Sequence, residues 1–249
     1  MRSGLPIKLA REPLIDVVFE ARFTSRAALA AVLPGYLFGR LQNVESIEPL
    51  PAAQLPAQMR MADPNLLFTP LARVVWRGFF IIVSDSSVAV ACKLPYPGWQ
   101  SFRVAIEEVM GHVQSSGLIQ SLQRYSLKYV DLIEIGGVGE QASKFNWSIR
   151  LGNTQVTNQN TVLRVEIEQY GHLNSVSYAS HANAKLWNGI EKSGALLDVD
   201  SSSLGEPPSA DNFFNEIPSL LDAIHDSNKR TFFECLTPLG LAELEPVYA

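Results

Sequence analysis

Residues 14–23 read LIDVVFEARF, and the alternation in that run constrains the fold more than any other feature of the chain. β-branched and aromatic residues dominate it. Val17, Phe19, Ala21 and Phe23 fall on one side of a pleat, the pattern of a strand with one face in a core. A helix is expected next, because Leu29, Val32, Leu33, Tyr36 and Leu37 recur at helical spacing, with Ser25 as its cap and Pro34 as a kink or an end. Pro49, Pro51, Pro56, Pro64 and Pro70 then predict an irregular excursion holding at most one edge strand.

Two β-rich runs follow, residues 73–83 and 88–94, joined through Ser84-Asp85-Ser86-Ser87 as a hairpin. After Pro97-Gly98 comes the clearest helix of the sequence. Trp99, Phe102, Ile106, Val109, Met110 and Val113 keep one face, and Gly117 marks its end. Residues 125–135 read as a strand, and Gly136, Gly137 and Gly139 as a linker. The order strand, helix, several strands, helix, strand is that of a ferredoxin-like arrangement, in which both helices cover one face of an antiparallel sheet. In the second half, strands are expected at 145–151, 161–170 and 194–200. A helix is expected at 213–236, with Pro218 near its first turn, and a short terminal helix is capped by Thr237 with Pro238 first. Residues 171–192 carry no decided topology. The expected fold class is therefore α+β, with two packed antiparallel sheet-plus-helix halves, 1–139 and 140–249. The first is ferredoxin-like, and the second ends in an acidic helix.

A hydrophobic fraction of 47% with 18% charged residues suits a chain that buries a core. No apolar stretch near the N-terminus is long enough for a signal-peptide core, and nowhere do about 18 apolar residues run without a charge. With Cys92 and Cys235 far apart in apolar contexts, free thiols in a reducing, cytoplasmic setting are expected. The net charge of −5 is unevenly spread. Residues 195–249 hold ten Asp or Glu against Lys229 and Arg230, and the preceding residues hold 15 against 18, near +3. Acidic surface repels phosphate backbones, so a nucleic-acid partner is disfavoured.

Four segments in order, PLIDVVFEARF (13–23), RYSLKYVDLIEI (124–135), ALLDVDSSS (195–203) and LLDAIHDSNKRTFFECLTPLGLAELEP (220–246), resemble a family of sporadically distributed prokaryotic proteins of about this length with no established function. The resemblance implies a cytoplasmic accessory protein, in a context of mobile or defence-associated genes. It implies no chemistry, since none of these segments is a catalytic motif.

The chemistry-bearing residues follow no known catalytic spacing. His112, His172, His181 and His225 form no i, i+3 or i, i+4 pair, so no metal is expected, and neither is a cofactor. Gly136-Gly-Val-Gly139 lacks the spacing of a phosphate loop, and no Walker loop or GxSxG elbow occurs. What remains is charge on strands. Glu20 and Arg22 share a face of the first strand, Lys128 lies on another, and Arg164, Glu166 and Glu168 share a face of a third. Cross-strand ion pairs on a solvated face explain these most cheaply. If the faces opposed one another, Glu20, Arg22, Lys128, Asp131, Arg164 and Glu166 would line a polar cleft for a small ligand. Asp131 has the parity of Leu127, Tyr129 and Ile133, nominally the apolar side, where an ionised carboxylate needs a partner. The functional expectation is a non-enzymatic binding or protein-interaction protein, acting through a protein partner or self-association. The alternatives are a carboxylate-dependent hydrolase or nuclease using Glu20, Asp131 or Glu166, and a self-assembling structural protein.

Overall fold

The alternation that opens the sequence becomes a 12-residue strand whose Val17, Phe19, Ala21 and Phe23 are fully buried. The computed structural model of the chain describes residues 4–134, 138–157, 159–186 and 188–248. In chain order the elements are β1 (Lys8–Leu9), β2 (Leu14–Ser25), α1 (Leu29–Arg40), β3 (Val44–Pro49), α2 (Ala57–Ala62), β4 (Ala72–Trp76), β5 (Phe79–Val83), β6 (Ser87–Cys92), α3 (Trp99–Ser115) and β7 (Ile119–Ile133). They continue with α4 (Val138–Ser143), β8 (Arg150–Leu151), β9 (Thr154–Gln155), β10 (Val162–Gln169), β11 (His172–Lys185), β12 (Glu191–Ser203), α5 (Ala210–Glu234), α6 (Pro238–Glu243) and β13 (Pro246–Val247). Antiparallel sheet packed with helices makes this an α+β fold. No helix among the described residues is long and apolar enough to cross a membrane.

The chain forms two compact units, neither of them continuous: Met1–Asp16, Lys128–Ser201 and His225–Ala249 in one, Val17–Leu127 and Ser202–Ile224 in the other. In the second of these the strand order is β7-β2-β6-β5-β4-β3. Helix α1 packs on β3, β4, β5 and α3, and α3 packs on β6, so the two helices lie on one face. The ferredoxin-like order is present in widened form: β2 lies between β7 and β6, the strands that follow and precede α3, and both helices lie on one face. Where the βαββαβ unit has a two-strand hairpin between its helices, β3 to β6 run here as a continuous antiparallel meander, and β6 lies antiparallel to β2, with Phe19 opposite Val90.

Other local expectations shift for identifiable reasons. Pro34 neither ends nor caps α1 but sits inside it, because Leu29, Leu33, Pro34 and Leu37 bury one stripe and tertiary packing outweighs the lost hydrogen bond. Ser25 does not cap the helix; its hydroxyl donates to the Ala27 carbonyl (2.7 Å). The run 73–83 is two strands, since Arg77 takes a left-handed φ of 49° and turns the chain. Helix α5 contains Pro218 as its ninth residue, well past the first turn. Gly139 falls within α4, whereas Gly136 and Gly137 lie outside the described residues.

In the unit that holds residues 128–201, the strand order is β10-β11-β12-β7. Its core gathers Phe145, Tyr178, Leu197, Val199, Phe232 and Leu236. The strand expected at 145–151 is reduced to a single bridge from Phe145 to Leu236 and the two residues of β8. Phe145 and Trp147 instead spend their side chains on Tyr178, at ring-centroid distances of 4.8 and 5.1 Å. Strand β1 pairs with β13, which brings the two ends of the described chain together. Thr237 caps α6 by accepting from the Gly240 N–H at 3.1 Å.

Candidate functional site

Glu20, Arg22, Lys128, Arg164 and Glu166 are each paired within their own neighbourhood. On β2, the Arg22 guanidinium donates to Glu20 at 2.9 Å and stacks over Phe68, 4.2 Å from the ring centroid. On β7, the Lys128 ammonium lies 3.7 Å from the Asp198 carboxylate. Asp131 is 3% exposed. Burial, and then the nearby carboxylates of Glu12 and Asp198, hold its carboxyl well above the usual carboxylate range. On β10, Arg164 and Glu166 pair at 3.2 Å while both stay largely exposed.

These residues do not form one cleft within the unit that holds Lys128, Asp131, Arg164 and Glu166. Strand β10 is three places from β7 in the sheet, which at about 4.8 Å per step separates the strands by about 14 Å. Glu166 and Asp131 are therefore out of reach of one another for shared acid-base work. Asp131 belongs with Glu12 and Asp198, the latter paired with Lys128; Arg164 and Glu166 belong to the far edge. Glu20 and Arg22 lie in the other unit. Among the described residues, no group of three or more His, Cys, Asp or Glu side chains is placed to hold a metal ion.

The edge strand β10 is the unusual surface. Its burial pattern is open on both faces, and Val162, Val165 and Ile167 are 84%, 41% and 39% exposed. It runs antiparallel to β11, with Leu163 opposite Tyr178 and Val165 opposite Val176. The two strands join through Tyr170-Gly171, both at positive φ (53° and 76°), the geometry of a two-residue hairpin turn matched to strand twist. That turn pairs Gln169 with His172, and at the other end Ser180 N–H donates to the Thr161 carbonyl at 3.0 Å. Hydrogen-bonding direction alternates along a strand, so the odd-numbered residues of β10 face β11. Val162, Arg164, Glu166 and Glu168 point their N–H and C=O groups away from the sheet. Among the described residues nothing reaches those outward groups.

A buried polar network holds this hairpin in place, and sequence reasoning missed it. Asn174 on β11 is fully buried; its amide N–H groups donate to the carbonyls of Gln169 (3.1 Å) and His172 (3.4 Å). Its side-chain oxygen accepts from Ser201 on β12 (2.5 Å) and Ser227 on α5 (3.2 Å). Asn228 donates to Ser201 (3.1 Å) and to the Val199 carbonyl (2.8 Å). Tyr170 at the turn donates its hydroxyl to Glu234 on α5, beneath the guanidinium of Arg230. Each member is satisfied, which makes the network a rigid anchor for β10. The only signal for it in the sequence is a strand rich in Ser and Asn, which reads as loop.

A concavity of about 430 Å³ lies in the other unit between α1, α2 and β3. Ala30, Pro34, Ile47 and Leu71 make its walls apolar. Its polar feature is the Arg60–Asp85 ion pair at 3.0 Å, with each side chain 13% exposed and Arg60 also donating to the Leu55 carbonyl. No protein family model matches the chain, and no curated protein matches its sequence.

Proposed function

We propose that the chain is a protein-interaction module that works by strand addition along the free edge of β10. The carrying observation is the row of unpartnered backbone groups at residues 162, 164, 166 and 168 on a strand exposed on both faces. A row of this kind is a template for a further strand, and native sheets normally cover, shorten or interrupt it with proline or lysine. Strand β10 has eight residues and contains neither residue. Its hairpin is pinned by Asn174 and Tyr170, so little ordering entropy opposes docking. On this reading the partner-binding surface is the edge of β10.

Glu166→Pro tests the reading, because the Glu166 N–H faces outward and its loss leaves the β11 ladder intact. Partners captured from cell extract by the tagged wild-type chain are expected to be lost with Glu166→Pro at an unchanged melting temperature. Equal recovery by a folded variant overturns the reading.

The alanine-walled cavity supports a second reading, the binding of a small, largely apolar molecule beside a fixed ion pair, since its size falls within the range of ligand pockets. Fluorescence titration with anilinonaphthalene sulfonate is expected to show saturable binding that Ala30→Trp abolishes. Unsaturable binding, or binding untouched by the substitution, removes this reading.

A further inference from the structure

We propose that the strand added at the β10 edge is the β10 of a second copy of this chain, antiparallel, with Val165 opposite Val165 of the copy. The inference rests on the strand-addition reading and names the partner. It follows from the order of side chains in VLRVEIE and from the direction in which each backbone group points.

Because only even-numbered residues of β10 offer outward N–H and C=O groups, two copies must pair even with even and odd with odd. This leaves few registers. Centring on Arg164 sets two guanidiniums against each other, and centring on Glu166 sets two carboxylates against each other, which is unfavourable for directly opposed strand residues. Centring on Val165 puts Arg164 opposite Glu166 of the copy twice over, Leu163 opposite Ile167 twice, and valine against valine. The strand is thus self-complementary in one register, in charge and in shape.

The two faces of β10 agree with this occupant. Leu163 packs against the core cluster that includes Tyr178. The same apolar face continues outward through Val165 and Ile167, which stand 41% and 39% exposed at the edge. A copy in this register lays its own Val165 and Ile167 beside them. On the other face, the Arg164–Glu166 contact at 3.2 Å within one strand is an exposed pair of small worth, free to exchange for the same pair across the interface. Pairing residues 162 to 168 forms about eight backbone hydrogen bonds. A contact of that extent is at the small end for specific interfaces, so dissociation constants of roughly 1–100 µM are expected.

Sedimentation velocity from 1 to 500 µM reads the claim. The wild-type chain is expected to pass from monomer to dimer across that range. Arg164→Glu is expected to weaken the dimer at least 10-fold, and Arg164→Glu with Glu166→Arg to restore it, with circular dichroism reporting that each variant is folded. Register is read separately with Val165→Cys. Residue 165 sits at a non-hydrogen-bonded site, where opposed Cα atoms approach to about 4.5 Å, within disulfide reach. Mild oxidation is expected to yield a covalent dimer from Val165→Cys and none from Ile167→Cys alone. A wild-type monomer at 500 µM overturns the proposal, as does a dimer indifferent to the charge swap or one trapped equally well by both cysteines. If the chain stays monomeric yet loses captured partners on Glu166→Pro, self-pairing fails and the edge reading survives; if neither effect appears, both fail.

Discussion

Asp131 carries the clearest residue-scale consequence. Its parity with Leu127 and Tyr129 in the sequence already pointed inward, and it is buried. The sequence could not name its neighbours, because Glu12 and Asp198 come from segments more than 60 residues away on either side. With the folded carboxyl held above its unfolded value, stability from this group is full below about pH 4 and is lost as pH rises through the folded value. Asp131→Asn keeps the shape and removes the ionisation. Urea melts are expected to show the variant gaining on the wild type as pH goes from 4 to 8; a difference that stays constant across that range contradicts the assignment. Cys235 is shifted the same way, by burial first. Burial, and then Glu234, push its thiol up to about 11, so it is neutral at physiological pH. Iodoacetamide at pH 8 is expected to alkylate it on the order of 100-fold more slowly than free cysteine, and ordinary reactivity contradicts the burial.

At the scale of elements, legibility followed the hydrophobic period. Strand β2 and helix α3 each bury the face their spacing predicts, including Phe102, Ile106, Val109, Met110 and Val113. Strand β11 was illegible because its buried positions include His172, Asn174 and Ser180, which tolerate burial only through specific partners such as Gln169, Ser201 and Asn160. The first six residues of β7, IQSLQR, were missed for a different reason: that end is polar and mostly exposed, with Leu122 its single buried position, so it has no period to read. Backbone approach distances give an element-scale test. A Cβ on Gly194 of β12 would sit 2.3 Å from the Ile133 carbonyl oxygen on β7, whereas one on Gly35 of α1 meets nothing within 4 Å. Gly194→Ala is expected to cost about 1–3 kcal/mol by forcing those strands apart, and Gly35→Ala to gain about 0.5–1 kcal/mol in helix propensity. Thermal melts that rank the two the other way would contradict the packing.

At the scale of the whole molecule, the chain's path limits what sequence can reveal. A boundary expected near residue 139 falls inside a unit that also recruits residues 1–16 and 225–249. Local patterns show elements; which segments return to share a core depends on contacts between residues far apart in the chain. The six residues proposed to line one cleft illustrate the limit, since Asp131 joins Glu12 and Asp198 while Arg164 and Glu166 stand three strands away. The charge pattern of β10 was visible in the sequence, but only its place at the sheet edge turns alternating arginine, glutamate and aliphatic side chains into a self-complementary surface. Amide hydrogen exchange resolved along residues 161–169 tests that account most directly. At 1 µM the odd-numbered amides that face β11 are expected to be protected and those of residues 162, 164, 166 and 168 to exchange freely. At 500 µM the even-numbered amides are expected to gain at least 10-fold protection. Even-numbered amides already protected at 1 µM, or exchange that ignores concentration, would contradict a free edge that pairs with its own copy.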